Sequence, residues 1–339
     1  MAIQQAIKQA ISRIDIDYDD MLIIVREIMS GDATAAQIAG LLVALNMKGE
    51  TIDEVTAAAT VMREFSTKVE VSVSPLLDTC GTGGDGSQTF NISTACAFVA
   101  SAAGAYVAKH GNRSVSSSSG SADVLEKLGV KIDLTPASVE SCINELGIGF
   151  MFAPAHHSAT RHAAGPRKEL GVRTLFNVLG PLTNPANAPV QLMGIFDRKW
   201  QKIAIEVLSR LGTKRAFVVT ADDGLDEISI ASKTHVARLI EGEISYFDIN
   251  PADYGLASQN IDGLRARDAS HSAEIIAQVL RDEKGPATDI VTLNAGAAIY
   301  ISDLCDTIEQ GVDIAKSVIA DGKALAKLQG LIEYSRQCE

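Results

Sequence analysis

The chain has 339 residues, of which 46% are hydrophobic and 21% are charged, and its formal net charge at pH 7 is −12. This composition is ordinary for a folded protein of one large or two unequal domains, and it does not indicate disorder. The acidic balance argues against a general nucleic-acid or anionic-membrane binder, because such proteins need a basic surface.

The 5 cysteines are widely spaced and form no CxxC pair, so neither a disulfide framework nor a zinc site is indicated. Reduced thiols are the simplest interpretation. No run of about 18 apolar residues occurs, and the N-terminus lacks the features of a secretory signal. We therefore expect a soluble, cytoplasmic protein with no membrane partner and no nucleic-acid partner.

Residues 1–68 are expected to form a small all-helical domain. Apolar residues between Ile3 and Ile11 recur at the i, i+3, i+4 spacing of a helix face. Thr51 precedes Glu54 by three residues, which is the pattern of a capping box at a helix start. Further helix-like, polar sequence at about 155–182 is expected to join this domain.

From residue 69 to residue 339, short apolar runs alternate with helix-like segments. This alternation predicts a mostly parallel sheet covered by helices, which makes the fold class α/β with a second, smaller helical domain. The candidate strands are 76–79, 106–109, 150–153, 190–195 and 216–220, with two more within 234–247.

Two loops rich in glycine and hydroxyl residues, 81–85 and 111–121, each follow an apolar run and precede a helix-like one. Glycines let backbone N–H groups approach a ligand, and a following helix N-terminus favours anions. With Asp85, Lys109 and Arg113 interleaved, the pair of loops indicates a phosphate-rich ligand more than two ordinary surface turns. The first loop matches neither the Walker A pattern nor GxGxxG.

The tetrapeptide 91–94, Asn-Ile-Ser-Thr, stands where the helix after the first loop should begin. Capping explains one of its polar residues, and contacts to a phosphate or a metal are favoured for the rest. In the cluster 109–114, Lys109 and Arg113 could neutralise phosphates and Asn112 could bind a polar substrate. A solvated strand end remains the alternative there, and His110 taken alone is more often structural.

The acidic segment 222–227 follows a candidate strand. Carboxylates at the C-terminal end of a parallel strand lie on the ligand-binding edge of the sheet, and Asp226 with Glu227 suits Mg²⁺. An acidic turn is the alternative.

The basic segment 161–173 carries Arg161, Arg167, Lys168 and Arg173. These side chains could form helix-surface ion pairs, or one of them could bind a substrate carboxylate.

These motifs together, at 78–94, 109–126, 169–186 and 226–227, resemble the anthranilate phosphoribosyltransferase family over nearly the whole chain. The resemblance implies a nucleoside-phosphorylase-like fold in which a helical domain is hinged to the α/β domain, and a homodimer. It implies transfer of a phosphoribosyl group from phosphoribosyl pyrophosphate to anthranilate, with Mg²⁺ as cofactor. No dedicated acid or base is implied, and Lys109 is implied to stabilise the leaving pyrophosphate.

The resemblance also implies roles for individual residues. Those implied to bind phosphoribosyl pyrophosphate are Gly81, Gly84, Asp85, Thr89, Asn91, Ile92, Ser93, Thr94, Lys109, His110, Gly111, Asn112, Arg113, Ser114, Val115, Ser116, Ser117 and Ser121. Those implied to bind anthranilate are Gly81, Asn112 and Arg167, and those implied to hold Mg²⁺ are Ser93, Asp226 and Glu227.

Two related functions remain as alternatives. A pyrimidine nucleoside phosphorylase has a different phosphate loop and does not need the pair 226–227. A non-catalytic nucleic-acid-binding relative of the same fold should be basic, whereas this chain is acidic.

Overall fold

The computed structural model describes residues 2–114, 119–256 and 261–338. The N-terminal region is helical, as the sequence predicts. Its helices are α1 (Ala2–Ile11), α2 (Tyr18–Ser30), α3 (Ala35–Lys48) and α4 (Ile52–Glu64). The capping box predicted at Thr51 is confirmed, since its side chain accepts from the Glu54 N–H while the Glu54 carboxylate accepts from the Thr51 N–H.

The rest of the chain alternates strands and helices around one sheet of seven strands. The strands are β1 (Leu76–Gly81), β2 (Tyr106–Gly111), β3 (Ile148–Phe152), β4 (Val190–Gly194), β5 (Arg215–Ala221), β6 (Thr234–Ile240) and β7 (Glu243–Ile249). The helices are α5 (Ile92–Ala102), α6 (Ser121–Leu128), α7 (Pro136–Leu146), α8 (Ala153–His156), α9 (Arg161–Leu170), α10 (Phe176–Leu179), α11 (Lys199–Arg210), α12 (Ala269–Leu280), α13 (Pro286–Ile301), α14 (Ile308–Ala320) and α15 (Lys323–Gln337).

The strand order is β3-β2-β1-β4-β5-β6-β7. The first five strands in this order pair in parallel, and β6 and β7 pair antiparallel at one edge. The predicted α/β class with a mostly parallel sheet is therefore confirmed. The chain progresses from β1 to β2 in one direction and returns through β4 on the other side, so β1 and β4 flank a topological switch point. Ligands of such sheets bind beyond the carboxyl ends of the strands at that point.

Alternate residues of the strands serve two cores, because successive side chains of a strand point to opposite faces. On β5, Phe217 and Val219 lie with α5 and α12–α15 in the first core. Ala216 and Val218 lie in the second core, which continues through α11 into α1–α4. The helical region thus lies on one side of the sheet, where α4 packs against α11 and α11 packs on β5 and β6. None of the helices in the described ranges is both long and apolar enough to cross a membrane.

Candidate active site

The first glycine loop follows β1 at the switch point. Gly83, Gly84 and Gly86 have φ values of +63°, +80° and +78°, in the left-handed region that favours glycine. The backbone N–H groups of Gly84, Asp85 and Gly86 donate to no acceptor within the described part of the chain. Successive N–H groups in such a turn form an anion-binding concavity, so this loop can receive a phosphate group.

Short polar contacts fix the shape of the glycine loop beyond Gly84. The Asp85 carboxylate accepts from the Ser87 backbone N–H at 3.2 Å and from the Ser87 hydroxyl. Thr89 then pairs with Arg265 in an isolated β-bridge. The predicted residues Asp85 and Thr89 therefore belong to one ordered turn that leads into α5.

Helix α5 begins beside the glycine loop and combines the two predicted roles of the tetrapeptide 91–94. Asn91 caps the helix, because its Oδ1 accepts from the Thr94 N–H at 3.0 Å. Ser93 instead donates its hydroxyl to Glu227 Oε1 at 2.5 Å. The Ile92 and Thr94 side chains are buried in the core. Of the four side chains, the Ser93 side chain is therefore the one that reaches the acidic pair.

The acidic pair lies against the glycine loop because two glycines make room for it. Asp226 Oδ2 accepts from the Gly83 N–H at 2.8 Å. A Cβ on Gly81 would lie 2.7 Å from that same carboxylate oxygen, and a Cβ on Gly194 would lie 1.5 Å from the Asp226 carbonyl oxygen. Sequence reasoning missed Gly194, although a glycine inside a predicted strand, here 190–195, is a signal of close backbone approach.

Burial and neighbouring carboxylates raise the pKa values of both members of the acidic pair. Burial and the neighbouring Asp85 raise the pKa of Asp226 well above its ordinary range. Burial and the neighbouring Asp226 do the same to the pKa of Glu227. Asp85, Asp226 and Glu227 repel one another when ionised in this largely desolvated site, and a bound cation would relieve that repulsion.

The donor set fits Mg²⁺ better than a metal that needs an all-protein cage. The described residues contain no group of three or more carboxylate, thiol or imidazole side chains arranged to hold a metal ion. Mg²⁺ needs only one or two carboxylates, with water and substrate phosphates as its other ligands. Asp226, Glu227 and the Ser93 hydroxyl supply that smaller set.

Lys109 is buried, with 4% of its surface exposed. Its ammonium donates to the Thr79 carbonyl oxygen. Burial raises the pKa of the Asp78 carboxyl, and the Lys109 charge opposes that rise, as it does for Glu227. The positive charge of Lys109 therefore favours the ionised forms of Asp78 and Glu227 from a buried position in the sheet.

Two histidines lie side by side at the end of β2 and just after α8. The rings of His110 and His157 are 5.1 Å apart between centroids, and both are buried. Burial lowers the pKa of His110 well below its ordinary value and lowers the pKa of His157 to about 4. Within the described ranges, the Nε2 atoms of both rings have no hydrogen-bond partner.

The second glycine loop begins at the end of β2 and returns to α6. Gly111 is needed there, because a Cβ would lie 2.0 Å from Ser121 Oγ. Arg113 is engaged on the surface by Asp123 at 3.0 Å and Glu126 at 2.5 Å. Its guanidinium therefore has acidic protein partners in this conformation.

The rest of the predicted contact set in the second loop is exposed, partly buried or outside the described residues. Asn112 is exposed, and its Oδ1 accepts from the Arg113 N–H at 2.7 Å. The Ser114 N–H donates to the Asp123 carboxylate at 2.9 Å. Val115, Ser116 and Ser117 lie outside the described residues.

The basic segment separates into distinct environments. Arg167 is partly buried, with its guanidinium 5.0 Å from the centre of the Phe176 ring, and burial lowers its pKa. Within the described ranges it forms no ion pair. Arg173 donates to the Gly84 carbonyl oxygen at 2.7 Å, while Arg161 and Lys168 are exposed. Arg167 therefore offers an uncompensated charge to a ligand carboxylate.

Comparison with known proteins agrees with this geometry. Residues 73–325 match the glycosyl transferase family, a/b domain, and residues 4–66 match the helical bundle domain of that family. The anthranilate phosphoribosyltransferase of Thioalkalivibrio sulfidiphilus is 54% identical over 338 residues, covering 100% of both chains. That of Marinomonas sp. is 53% identical over 99% of this chain and 98% of the relative.

The chain belongs to the anthranilate phosphoribosyltransferase family. Solved structures of this family have the same fold. The Thermus thermophilus enzyme superposes with a TM-score of 0.92 at 40% identity, covering 98% of this chain and 99% of the other. The Saccharomyces cerevisiae enzyme, solved in complex with PRPP and Mg, gives a TM-score of 0.85 at 26% identity over 94% and 92% of the two chains. The family resemblance seen in the sequence is thereby confirmed.

Proposed function

We propose that the protein transfers the phosphoribosyl group of phosphoribosyl pyrophosphate to the amine of anthranilate, in tryptophan biosynthesis. The observation that carries the proposal is the juxtaposition of a loop with three free N–H groups and the acidic pair Asp226–Glu227 at the switch point. Hydrogen-bond donors and a site for a divalent cation, side by side, suit a diphosphate. The family membership of the full chain supports the same reaction.

The glycine loop and the start of α5 are proposed to bind phosphoribosyl pyrophosphate together with the second loop. The free N–H groups of residues 84–86 support this role, as does the N-terminus of α5, which favours phosphate. Arg113 would have to leave Asp123 and Glu126 to reach a phosphate, so its role depends on rearrangement of the second loop. The proposed set is the one that the family motifs imply, from Gly81 to Ser121.

Mg²⁺ is the proposed cofactor, held by Asp226, Glu227 and Ser93. When bound, it would supply positive charge to the pyrophosphate oxygens. The two carboxylates provide charged ligands, and the Ser93 hydroxyl, at 2.5 Å from Glu227, is close enough to share their ion.

Arg167 is proposed to bind the anthranilate carboxylate, with Asn112 and Gly81 completing the site. A guanidinium matches a carboxylate through two parallel N–H donors. Arg167 is partly desolvated and has no ion-pair partner in the described part of the chain, so a ligand carboxylate would compensate its charge. Arg161 and Lys168 are exposed, so water already solvates their charges.

The chemical step forms a bond between the anthranilate nitrogen and the anomeric carbon while the bond from that carbon to pyrophosphate breaks. The bonding electrons leave with pyrophosphate, and the amine nitrogen releases one proton. An aromatic amine is already a neutral nucleophile near neutral pH, so the protein needs no strong base. Its work is to position both substrates and to stabilise the charge that develops on pyrophosphate. We assign that stabilisation to the N–H groups of the glycine loop and to Lys109; the free donors of the loop and the effect of the Lys109 charge on Glu227 support the assignment.

The domain division 1–68 and 69–339, with 155–182 joining the helical domain, is also a proposal. Packing of α9 on α2 and α3 supports it, as does the presence of Ala163 and Leu175 in the core of the helical region. Closure of the helical domain over the cleft would exclude water from the reactive ribose. All 5 cysteines are free thiols, which suits the proposed cytoplasmic location.

A homodimer is proposed through the helical region. Ile11 and Met47 are 69% and 71% exposed, and both are large apolar residues. They lie near adjoining helix ends, because Lys48 Nζ is 2.7 Å from Asp15 Oδ1. Light scattering after gel filtration should give twice the chain mass, and Met47→Glu should lower it. A monomeric wild type would contradict the proposal.

Measurement of pyrophosphate release tests the proposed reaction against its rivals. Purified protein with phosphoribosyl pyrophosphate and Mg²⁺ should release pyrophosphate only when anthranilate is added. Release of base from thymidine in the presence of phosphate would identify a nucleoside phosphorylase instead. Binding to single-stranded DNA without either reaction would identify a non-catalytic relative.

A further inference from the structure

Arg173 connects the helical region to the glycine loop. It lies between α9 and α10, and its backbone carbonyl accepts a hydrogen bond from the Asn46 side chain of α3. Its Nη2 donates to the Gly84 carbonyl oxygen at 2.7 Å. One residue thus touches α3 through its backbone and the proposed phosphate-binding loop through its side chain.

Phe196 supports this arrangement from beyond the end of β4. The Arg173 guanidinium lies 4.4 Å from the centre of the Phe196 ring, a distance at which an arginine and an aromatic face attract each other. The Phe196 N–H donates to Thr82 Oγ1 at 3.1 Å. The stacked pair therefore holds the loop at two points, Thr82 and Gly84.

The contact with Gly84 also determines where the next N–H group points. In a trans peptide, the carbonyl of one residue and the N–H of the next point in opposite directions. Because Arg173 holds the Gly84 carbonyl, the Asp85 N–H faces away from the arginine. That N–H has no acceptor within the described ranges, so it is available to a ligand.

The charge of Arg173 has no acidic partner in the part of the chain that the structure describes. Within the described ranges Arg173 forms no ion pair, whereas Arg113 is paired with Asp123 and Glu126. Its hydrogen bond to a carbonyl leaves the positive charge uncompensated beside the loop, where it favours an approaching diphosphate.

We infer that Arg173 is a positioning residue that sets the glycine loop for phosphoribosyl pyrophosphate and links that loop to the helical region. The inference rests on the proposed function and deepens it. It differs from the role proposed for Arg167, which is to bind the anthranilate carboxylate. The two arginines should therefore affect different substrates.

The test compares Arg173→Ala and Arg173→Lys with wild type and with Arg281→Ala, which removes an exposed arginine far along the chain at the end of α12. The measurements are kcat, both KM values, the thermal midpoint, and calorimetric binding of phosphoribosyl pyrophosphate with Mg²⁺ in the absence of anthranilate. Arg173→Ala should weaken that binding and raise the KM for phosphoribosyl pyrophosphate by about 10-fold, the effect of losing one charge-assisted hydrogen bond when the Asp85 N–H is no longer aimed at the ligand. The KM for anthranilate and the thermal midpoint should stay near those of Arg281→Ala.

Two further variants, Arg173→Lys and Asn46→Ala, distinguish a positioning role of Arg173 from a purely structural one. Arg173→Lys keeps a donor and a charge but loses the planar stack on Phe196, so it should recover part of the lost affinity. Asn46→Ala should also raise the KM for phosphoribosyl pyrophosphate, by a smaller factor, because it loosens the Arg173 backbone from α3.

Three results would overturn the inference while leaving the proposed reaction intact. The first is wild-type affinity for phosphoribosyl pyrophosphate in Arg173→Ala. The second is a selective rise in the KM for anthranilate in that variant. The third is an unchanged KM for phosphoribosyl pyrophosphate in Asn46→Ala. A wild-type protein that releases no pyrophosphate would instead contradict the proposed function itself.

Discussion

Replacement of Arg167 with alanine should impair anthranilate binding selectively. The guanidinium is partly buried over Phe176 and has no ion-pair partner in the described part of the chain. A charge-assisted hydrogen bond to the substrate carboxylate contributes about 1.5–3 kcal/mol, which corresponds to about 10- to 150-fold in affinity. The KM for anthranilate should rise by about that factor, and the KM for phosphoribosyl pyrophosphate should change by less than about twofold.

The stability of Arg167→Ala should change little, since two effects oppose each other. The substitution loses the stacking on Phe176, worth about 0.5–2 kcal/mol. It also removes a positive charge whose burial lowers its pKa and therefore costs free energy in the folded state. A thermal midpoint within a few degrees of wild type would show that the kinetic effect is local.

Steady-state kinetics on a panel of four alanine variants decides whether Arg167 holds the carboxylate. The panel consists of Arg161→Ala, Arg167→Ala, Lys168→Ala and Arg173→Ala. Arg167→Lys should be intermediate, because lysine keeps the charge but lacks the planar fork. A selective anthranilate defect in Arg161→Ala or Lys168→Ala, with Arg167→Ala unaffected, would refute the reasoning.

Three further predictions concern the glycines and a buried histidine. Gly194→Ala should slow turnover and destabilise the fold by about 1–3 kcal/mol, because its Cβ would lie 1.5 Å from the Asp226 carbonyl oxygen; wild-type kinetics and thermal midpoint would contradict this. Gly84→Val should abolish calorimetric binding of phosphoribosyl pyrophosphate, since φ is +80° there and a side chain blocks approach to the N–H groups; unchanged affinity would remove the loop from the site. Burial lowers the pKa of His157 to about 4, so the unfolded chain binds more protons between about pH 6.5 and pH 4 and stability falls as pH falls through that window. At about pH 5 the loss from this residue should be about 2 kcal/mol relative to neutral pH, and urea denaturation of His157→Gln should lack that part of the pH dependence.

The strands and helices could be read from the sequence because their signals are local. The predicted strand 106–109 lies within β2, and the two strands expected within 234–247 are β6 and β7. The strand order and the antiparallel edge depend on contacts between distant segments, which periodicity does not record. The burial of Lys109 escaped prediction for the same reason. A lysine at a strand end looks solvated until the neighbouring strands and helices are in place.

The site was predictable as a set of motifs, and its assembly was not. Asp226 and Glu227 were recognised as adjacent carboxylates after a strand, but their contacts with Gly83 and Ser93 join segments more than 130 residues apart. Gly194 was missed because its role depends on β4 lying next to β5, so that the Asp226 backbone passes directly over it. Such a position becomes recognisable once the strand order is known.

The most direct test of the account is pyrophosphate release across a Mg²⁺ titration, for wild type and for the double variant Asp226→Asn, Glu227→Gln. A control double variant, Glu309→Gln with Asp313→Asn, removes two exposed carboxylates of α14. Wild type and control should release one pyrophosphate for each anthranilate consumed, and only with Mg²⁺ present. The Asp226 and Glu227 variant should be slower by about 100-fold or more while it stays folded. Release without anthranilate, or near-normal rates in that variant at every Mg²⁺ concentration, would contradict the account.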